Sequence, residues 1–423
     1  MNSFFSKLKT LFTDRSLRNR VLFVVAALFV FRFLATIPVP GVDTLKLNQF
    51  LQGNQFLGIF NALSGGGLSN FSIVMLGVGP YITASIIMQL LSMMVPSIKE
   101  MMQESGELGR KKFNQYTRFL TVPLAGLQAF SFIKLFQSQG ALDPLTTNQL
   151  LINILIIMAG SILLLWIGEL INEFGIGNGT SLIIMAGILS VLPAKVAQFF
   201  FTFTAAQLPM LLVYIVIGIL VIAGVVYIYE AERPVHVTYA RAVRGIRATG
   251  GGDTYLPLRL AQAGVMPIIF ASSLLLFPQF LSGIFIKASS SILQTIGGGL
   301  TWFLQTTWLY SLVYFILVVF FTYFYTAVTF DPKQIAENLQ KNGAFIPGIR
   351  PGEATMKHLA VIVTRITLVG SMFLGIVAVL PLIVQSTTGV TAFAVGGTSL
   401  LIVVSVVIDL IRKIDAQVAL HEY

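Results

Sequence analysis

Ten stretches of this chain are apolar over lengths that match the thickness of a membrane, and that property limits what the polypeptide can become. They cover residues 21–37, 71–95, 119–136, 150–167, 180–201, 210–229, 261–285, 308–330, 359–384 and 390–411. Crossing a hydrocarbon core of about 30 Å takes roughly 20 helical residues at about 1.5 Å each. Backbone in lipid must satisfy its own hydrogen bonds, so the runs predict helices. Composition agrees: with 56% hydrophobic and only 10% charged residues in 423, too little polar surface exists for a water-soluble globule. The expected fold is an all-α polytopic membrane protein of ten transmembrane helices.

Orientation follows from where the 27 Lys and Arg fall. If the N-terminus is cytoplasmic, nearly all lie on the inner side, from Lys7, Lys9, Arg15, Arg18 and Arg20 through Arg110, Lys111 and Lys112 to Arg412 and Lys413. Lys46, Lys134, Lys195 and Lys287 remain outside, and Arg32 interrupts the first run. Because basic residues are retained on the inner side, both termini are expected in the cytoplasm. Most acids share those inner segments, so their net positive charge is modest and suits anionic lipids or an acidic partner equally. No small-residue cleavage site follows the first run, so no removed signal peptide is expected. Residues 1–20, with Phe4, Phe5, Leu8, Leu11 and Phe12 against basic neighbours, read as an amphipathic segment at the inner interface.

What the spans lack narrows function. Ion-coupled carriers keep ionisable groups at mid-depth because such groups are costly in lipid and persist only for use. Here His236, His358 and His421 lie in loops or the tail, while Arg32, Arg365, Glu169 and Asp409 lie near span ends, within snorkelling reach of water. The spacing offers no metal site, no carboxylate pair and no cofactor site, and the absence of cysteine excludes thiolate chemistry. No phosphate-binding loop of the G-x-x-x-x-G-K-[ST] kind occurs, so any ATP is spent by a partner. We therefore expect a protein that is not an enzyme.

Two internal echoes organise the runs. Gly264-Val265-Met266-Pro267-Ile268-Ile269-Phe270-Ala271-Ser272 repeats much of Gly77-Val78-Gly79-Pro80-Tyr81-Ile82-Thr83-Ala84-Ser85, and Gly397-Thr398-Ser399-Leu400-Leu401-Ile402 repeats Gly179-Thr180-Ser181-Leu182-Ile183-Ile184. Partners five spans apart cross the bilayer in opposite directions, which marks an inverted repeat around a central path; chance similarity in an apolar chain is the alternative. Pro80 and Pro267 fall at matched places and predict a bend in each helix. Residues 59–70, with Leu63-Ser64-Gly65-Gly66-Gly67-Leu68, are too short to cross and too rich in glycine for a firm helix. They are either a movable stopper or an external loop. Val78, Ile82, Ile184, Ile269 and Ile402 are either a dry constriction or plain helix packing.

Seven segments in order carry a resemblance: residues 37–41 (Ile-Pro-Val-Pro-Gly), 60–68, 76–91, 175–188, 263–277, 343–352 (Gly-Ala-Phe-Ile-Pro-Gly-Ile-Arg-Pro-Gly) and 396–404. Across nearly its whole length the chain resembles the SecY family, the channel subunits of the bacterial Sec protein-translocation complex. The resemblance implies two inverted five-helix halves around a central pore, residues 21–209 and 210–411, with a cytoplasmic tail at 412–423. It implies that 59–70 is a plug, including Ile59, Phe60, Asn61, Leu63, Ser64, Gly65, Gly66, Gly67 and Leu68. It places a pore ring on Val78, Ile82, Thr180, Ile184, Ile269 and Ile402, where Thr180 departs from the aliphatic pattern. It places a lateral gate at Thr83, Gln89, Gln128, Ser273 and Phe277, with Thr83 facing Phe277.

The implied function is a protein-conducting channel in the bacterial plasma membrane. It would pass unfolded secretory polypeptides and release apolar segments, such as a signal peptide, sideways into lipid. The implied partners are the companion subunits SecE and SecG, the ATPase SecA, the ribosome and anionic lipids. Docking would fall on the cytoplasmic loops 230–260, at Arg241, Arg244 and Arg247, and 331–357, at Arg350. Orientation and lipid contact are the alternative for the first three arginines. A secondary transporter shares inverted repeats and broken helices, but requires a midplane ion site that these spans do not show.

Overall fold

The computed structural model of the chain describes residues 13–40, 61, 64–103, 106–138, 140, 142–202, 208–239, 242–244, 247–249, 252–286, 290–388 and 396–421. The first helix, α1 (Arg15–Leu34), is capped by Asp14, whose carboxylate accepts from the Ser16 amide at 2.8 Å. The basic residues Arg15, Arg18 and Arg20 are thus the first turns of the helix that carries the first apolar run. Residues 1–12 of the expected amphipathic segment lie outside the described residues.

An irregular stretch precedes the second helix. The Val39 amide donates to Phe71 at 2.9 Å and the Ile73 amide to Ile37 at 3.1 Å, tying the chain after α1 to the chain before α2. Next come α2 (Gly79–Met94), the short α3 (Pro96–Gln103), α4 (Gly106–Ser138), α5 (Thr147–Phe174) and α6 (Gly179–Thr202). A capping box between Thr146 and Gln149 starts α5. The second half opens with α7 (Leu208–Glu230), then strands β1 (Glu232–Tyr239), β2 (Ala242–Arg244), β3 (Arg247–Thr249) and β4 (Asp253–Arg259). After these come α8 (Met266–Phe285), α9 (Ser291–Gln305), α10 (Thr307–Thr329), α11 (Pro332–Lys341), β5 (Ala344–Phe345), α12 (Glu353–Thr388) and α13 (Gly396–His421).

The architecture is a polytopic helical bundle. Four helical stretches among the described residues are long and apolar enough on their own to cross a membrane: Gly106–Gln137, Thr147–Phe174, Thr307–Lys341 and Glu353–Val384. Among the described residues each expected run carries a helix; residues 35–37 of the first run and the turns at 71–78 and 261–265 of the second and seventh lie outside theirs, and residues 390–395 of the tenth lie outside the described residues.

Those turns correct the expected proline bends. Pro80 and Pro267 occupy the first turn of α2 and α8, where the missing amide has no helical partner and the fixed φ suits helix entry. They start the helices instead of kinking them. The geometry just before each start is nearly identical. Gly77 has φ 58° and Gly264 φ 59°, a conformation that costs a residue with a side chain, and Val78 and Val265 follow at φ −89° and −88°. Prolines do lie inside helices elsewhere, at Pro123, Pro193, Pro278 and Pro381.

The largest buried cluster draws on both halves, from Phe31 and Val78 through Ile184 to Ile269, Leu374 and Ile402. A second packs Val39, Leu68, Phe71, Met75 and Leu76 against Phe132 and Phe136 of α4. A third smaller one joins Leu17 of α1, Ile176 and Val418 of α13, so the start of the first helix and the end of the last share one end of the bundle.

Candidate functional site

Val78, Ile82, Ile184, Ile269 and Ile402 are buried in one cluster, fed by the residue before α2 and by helices α2, α6, α8 and α13. The two repeats thereby place equivalent residues together: Ile82 and Ile269 stand one turn into their helices, and Ile184 and Ile402 follow the repeated Gly-Thr-Ser. Thr180 is buried with them, and its hydroxyl donates to the Asn178 side-chain oxygen at 2.7 Å. That same oxygen accepts from the Ser181 amide at 3.3 Å, so Asn178 caps α6 and keeps the Thr180 hydroxyl occupied. Branched aliphatics with no unsatisfied hydroxyl form a surface that water wets poorly.

Against this cluster lies the glycine-rich segment, of which Asn61 and residues 64–70 are described; Ile59, Phe60 and Leu63 lie outside the described residues. Its turns close on themselves. The Gly66 amide donates to the Asn61 carbonyl at 2.7 Å, the Ser69 amide to the Asn61 side chain at 2.8 Å and the Ser69 hydroxyl to the Gly66 carbonyl at 2.8 Å. Ser64 and Leu68 are buried. Gly65, at φ 73°, lies so close to α1 and α6 that an added Cβ would meet the Phe31 ring at 2.6 Å and the Gly187 backbone at 3.1 Å. Arg32 Nη1 donates to the Gly65 carbonyl at 2.7 Å and to the Ser190 hydroxyl at 3.1 Å. Arg32 is exposed, in keeping with its expected reach to water, and is at the same time engaged with the segment.

The seam residues group by wall. Gln128 on α4 donates to the Thr83 hydroxyl on α2 at 3.2 Å, and Thr83 itself donates to the Gly79 carbonyl at 3.1 Å. Gln89 bonds Ser85 on its own helix at 3.1 Å. In the other half, Ser272 on α8 and Tyr314 on α10 are 3.1 Å apart. Each of these bonds stiffens one wall. Between the walls α8 packs on α2 and α4, and Phe277 stands 40% exposed just past the middle of α8. Ser273 is half-buried one turn before it. At one end of the seam a cavity of about 240 Å³ is lined by Ser92, Met93 and Lys99 on one side and Val328, Phe330 and Asp331 on the other. An ion pair that composition alone did not single out, Arg118 with Glu169, joins α4 to α5.

Described parts of the two expected loops meet in one three-stranded sheet, a platform. β1 pairs antiparallel with β4 along Glu232–Thr238, and β5 adds to its other edge through Thr238 with Phe345 and Tyr239 with Ala344. Val235, Val237, Leu258 and Ile346 bury themselves against Leu359 and Ile362 of α12. At the hairpin tip Arg244 pairs in register with Arg247; Arg241 lies outside the described residues. Arg350 is exposed on a tight turn flanked by Gly348 at φ 81° and Gly352 at φ 98°, and its carbonyl accepts from the Thr355 hydroxyl at 2.9 Å. Arg412 on α13 reaches the platform's base, donating to the Tyr229 carbonyl at 2.7 Å and meeting Glu230 at 3.2 Å.

Sequence reasoning missed Arg32, Ser190, Asn178 and Arg412 as parts of this arrangement. An arginine inside an apolar run and an asparagine just before a repeated helix start were the available signals.

Comparison with known proteins follows this geometry closely. Residues 72–411 match the SecY family model. Among relatives, the protein translocase subunit SecY of Thermus thermophilus is 43% identical over 96% of this chain and 94% of its own length. That of Thermotoga maritima is 39% identical over 98% and 96% respectively. Among solved structures, a protein-conducting channel superposes with a TM-score of 0.63 at 22% identity, covering 95% of this chain and 93% of the other. A SecY channel studied for the closed state its plug domain stabilises gives 0.62 at 22% identity, covering 95% and 92%.

Proposed function

The chain belongs to the SecY family and is a translocation-channel subunit rather than a secondary transporter, and on that premise we propose how its parts work. The observation that carries the reading is the single buried cluster in which matched aliphatics of the two halves meet, with the glycine-rich segment packed on Phe31 of the same cluster. At rest the aliphatic ring excludes water, and residues 59–70 act as the plug above it. A polypeptide entering from the platform side displaces the plug, and the isoleucines close around it as a gasket. A ring of flexible branched side chains yields to a moving chain while leaving little room for hydrated ions.

The seam between α2 with α4 and α8 with α10 serves as the lateral gate. An apolar segment in the pore finds lipid the better solvent and leaves through the seam. The platform is the docking surface. Arg350 offers a planar donor fork on a shaped turn, and the paired positions of Arg244 and Arg247 bring two more cations to the hairpin tip. A motor ATPase of the SecA kind or a ribosome docks there, the latter through phosphate contacts. SecE and SecG brace the bundle, and anionic lipids meet the basic inner face. No covalent chemistry is required of this subunit. Both termini lie in the bacterial cytoplasm, in keeping with their shared end of the bundle.

The deciding experiment is planar-bilayer conductance of the intact complex against one lacking residues 59–70. A silent intact channel that flickers open on deletion is the expected result. Two equally silent preparations would remove the plug assignment.

A further inference from the structure

The geometry points to Arg32, with Ser190, as the latch that holds the plug shut: one guanidinium nitrogen on α1 grips the Gly65 carbonyl while the Ser190 hydroxyl on α6 steadies it. The inference rests on the reading of residues 59–70 as a plug and assigns the residues that set its resting position.

Arg32 is exposed and within snorkelling reach of water, yet its guanidinium turns to a backbone carbonyl and a hydroxyl of two other elements. Arg32 stands close to the end of α1, and among the described residues no carboxylate pairs with it. Its partners are neutral, the Gly65 carbonyl at 2.7 Å and the Ser190 hydroxyl at 3.1 Å. Ser190 in turn lies 3.4 Å from the same carbonyl and donates to its own helix at Gly187 at 2.7 Å. Three elements of the first half, α1, α6 and the glycine-rich turn, therefore converge on one acceptor.

The notch around that acceptor is built for backbone. With φ 73° and a Phe31 ring atom 2.6 Å from where a Cβ would stand, position 65 accepts glycine alone without rearrangement. The bond from the Gly66 amide to Asn61 fixes the turn that carries the Gly65 carbonyl toward Arg32. Anchoring α1 to α6 alone would need neither the notch nor the carbonyl.

The chemistry suits a latch that must release. A charged donor on a neutral acceptor is stronger than an ordinary hydrogen bond, yet water can take the place of either partner. When the plug leaves, Arg32 is left facing the aqueous path it opened, so release strands no charge in lipid. Lysine keeps the charge but lacks the planar fork that holds two acceptors in fixed directions.

The test uses the complex in planar bilayers, together with hydrogen–deuterium exchange of residues 64–70 and of α1. Arg32→Gln should raise the frequency of resting openings about tenfold, Ser190→Ala less in the same direction, and Arg32→Lys between them. Exchange should quicken at 64–70 and stay unchanged in α1, which a merely structural role of Arg32 would not produce. If Arg32→Gln is silent while deletion of 59–70 leaks, the latch is wrong and the plug stands. If both are silent, the plug reading falls and the latch with it. Openings in Arg32→Gln with 64–70 as protected as before would also overturn the latch. Should Arg32→Gln fail to insert, Ser190→Ala decides: faster exchange at 64–70 supports the latch and unchanged exchange overturns it.

Discussion

Removing side-chain volume from the aliphatic ring tests whether dryness holds ions back. Ile82, Ile184, Ile269 and Ile402 present branched carbons into one buried cluster, and water enters such a constriction only at the cost of its own hydrogen bonds. Replacing the four with glycine should raise resting ion conductance on the order of tenfold or more, even with the plug in place. Unchanged conductance would mean that the plug alone seals the path. Thr180 shows why residue type is a poor guide at such a site. A hydroxyl in the proposed dry ring looks like a flaw, but Asn178 occupies it at 2.7 Å, so under that proposal the side chain acts toward the pore as a small branched group. That partner stands two residues away and becomes visible only once the turn before α6 is known.

At the scale of elements, the helices and their pairing into two halves were legible because hydropathy and the Gly-Val-x-Pro echo both report on long, regular backbone. The prolines were misread because the rule that proline breaks a helix depends on position. In an interior turn it costs about 3 kcal/mol, whereas in the first turn it costs almost nothing and restricts the unfolded chain. The missing signal was the glycine three residues earlier, whose positive φ starts the helix. Pro80→Ala and Pro267→Ala should accordingly lower thermal stability by less than about 1 kcal/mol each. A loss of several kcal/mol in a detergent melt would instead place them in a strained bend. The strands of the platform were not legible for another reason. In β1 only Val235 and Val237 are buried, and the surrounding charges read as a loop until β4, β5 and α12 supply the covering surface.

The platform also has a consequence at element scale. Because β5 is stitched to β1, the segment that leads to the turn bearing Arg350 belongs to the same three-stranded sheet as β1 and β4. Arg350→Glu should reduce partner-driven translocation by tenfold or more, roughly the effect of reversing one docked charge, and leave resting conductance and the melting profile as they were. Normal translocation by this variant would move docking off that turn.

At the scale of the whole molecule, the placement of polar bonds separates what stays together from what moves. Gln128 with Thr83 fastens α2 to α4, and Ser272 with Tyr314 fastens α8 to α10, each a contribution of about 0.6 to 2 kcal/mol between helices in lipid. The walls are thereby internally stapled, and under the proposed gate the packing of α8 on α2 and α4 is what gives way. On the proposed reading of the seam, gate opening is a rigid-body parting of two stapled walls, and a tether across the seam should stop it without touching the pore. The chain has no cysteine, so Thr83→Cys with Phe277→Cys, joined by a short bifunctional thiol reagent, creates a unique bridge. The bridged complex should keep its resting seal and melt no lower than the unbridged one, yet lose both translocation and sideways release until a cleavable reagent is cut. If bridged complexes translocate as fast as unbridged ones, these two positions do not span the moving seam, and the walls part along another line.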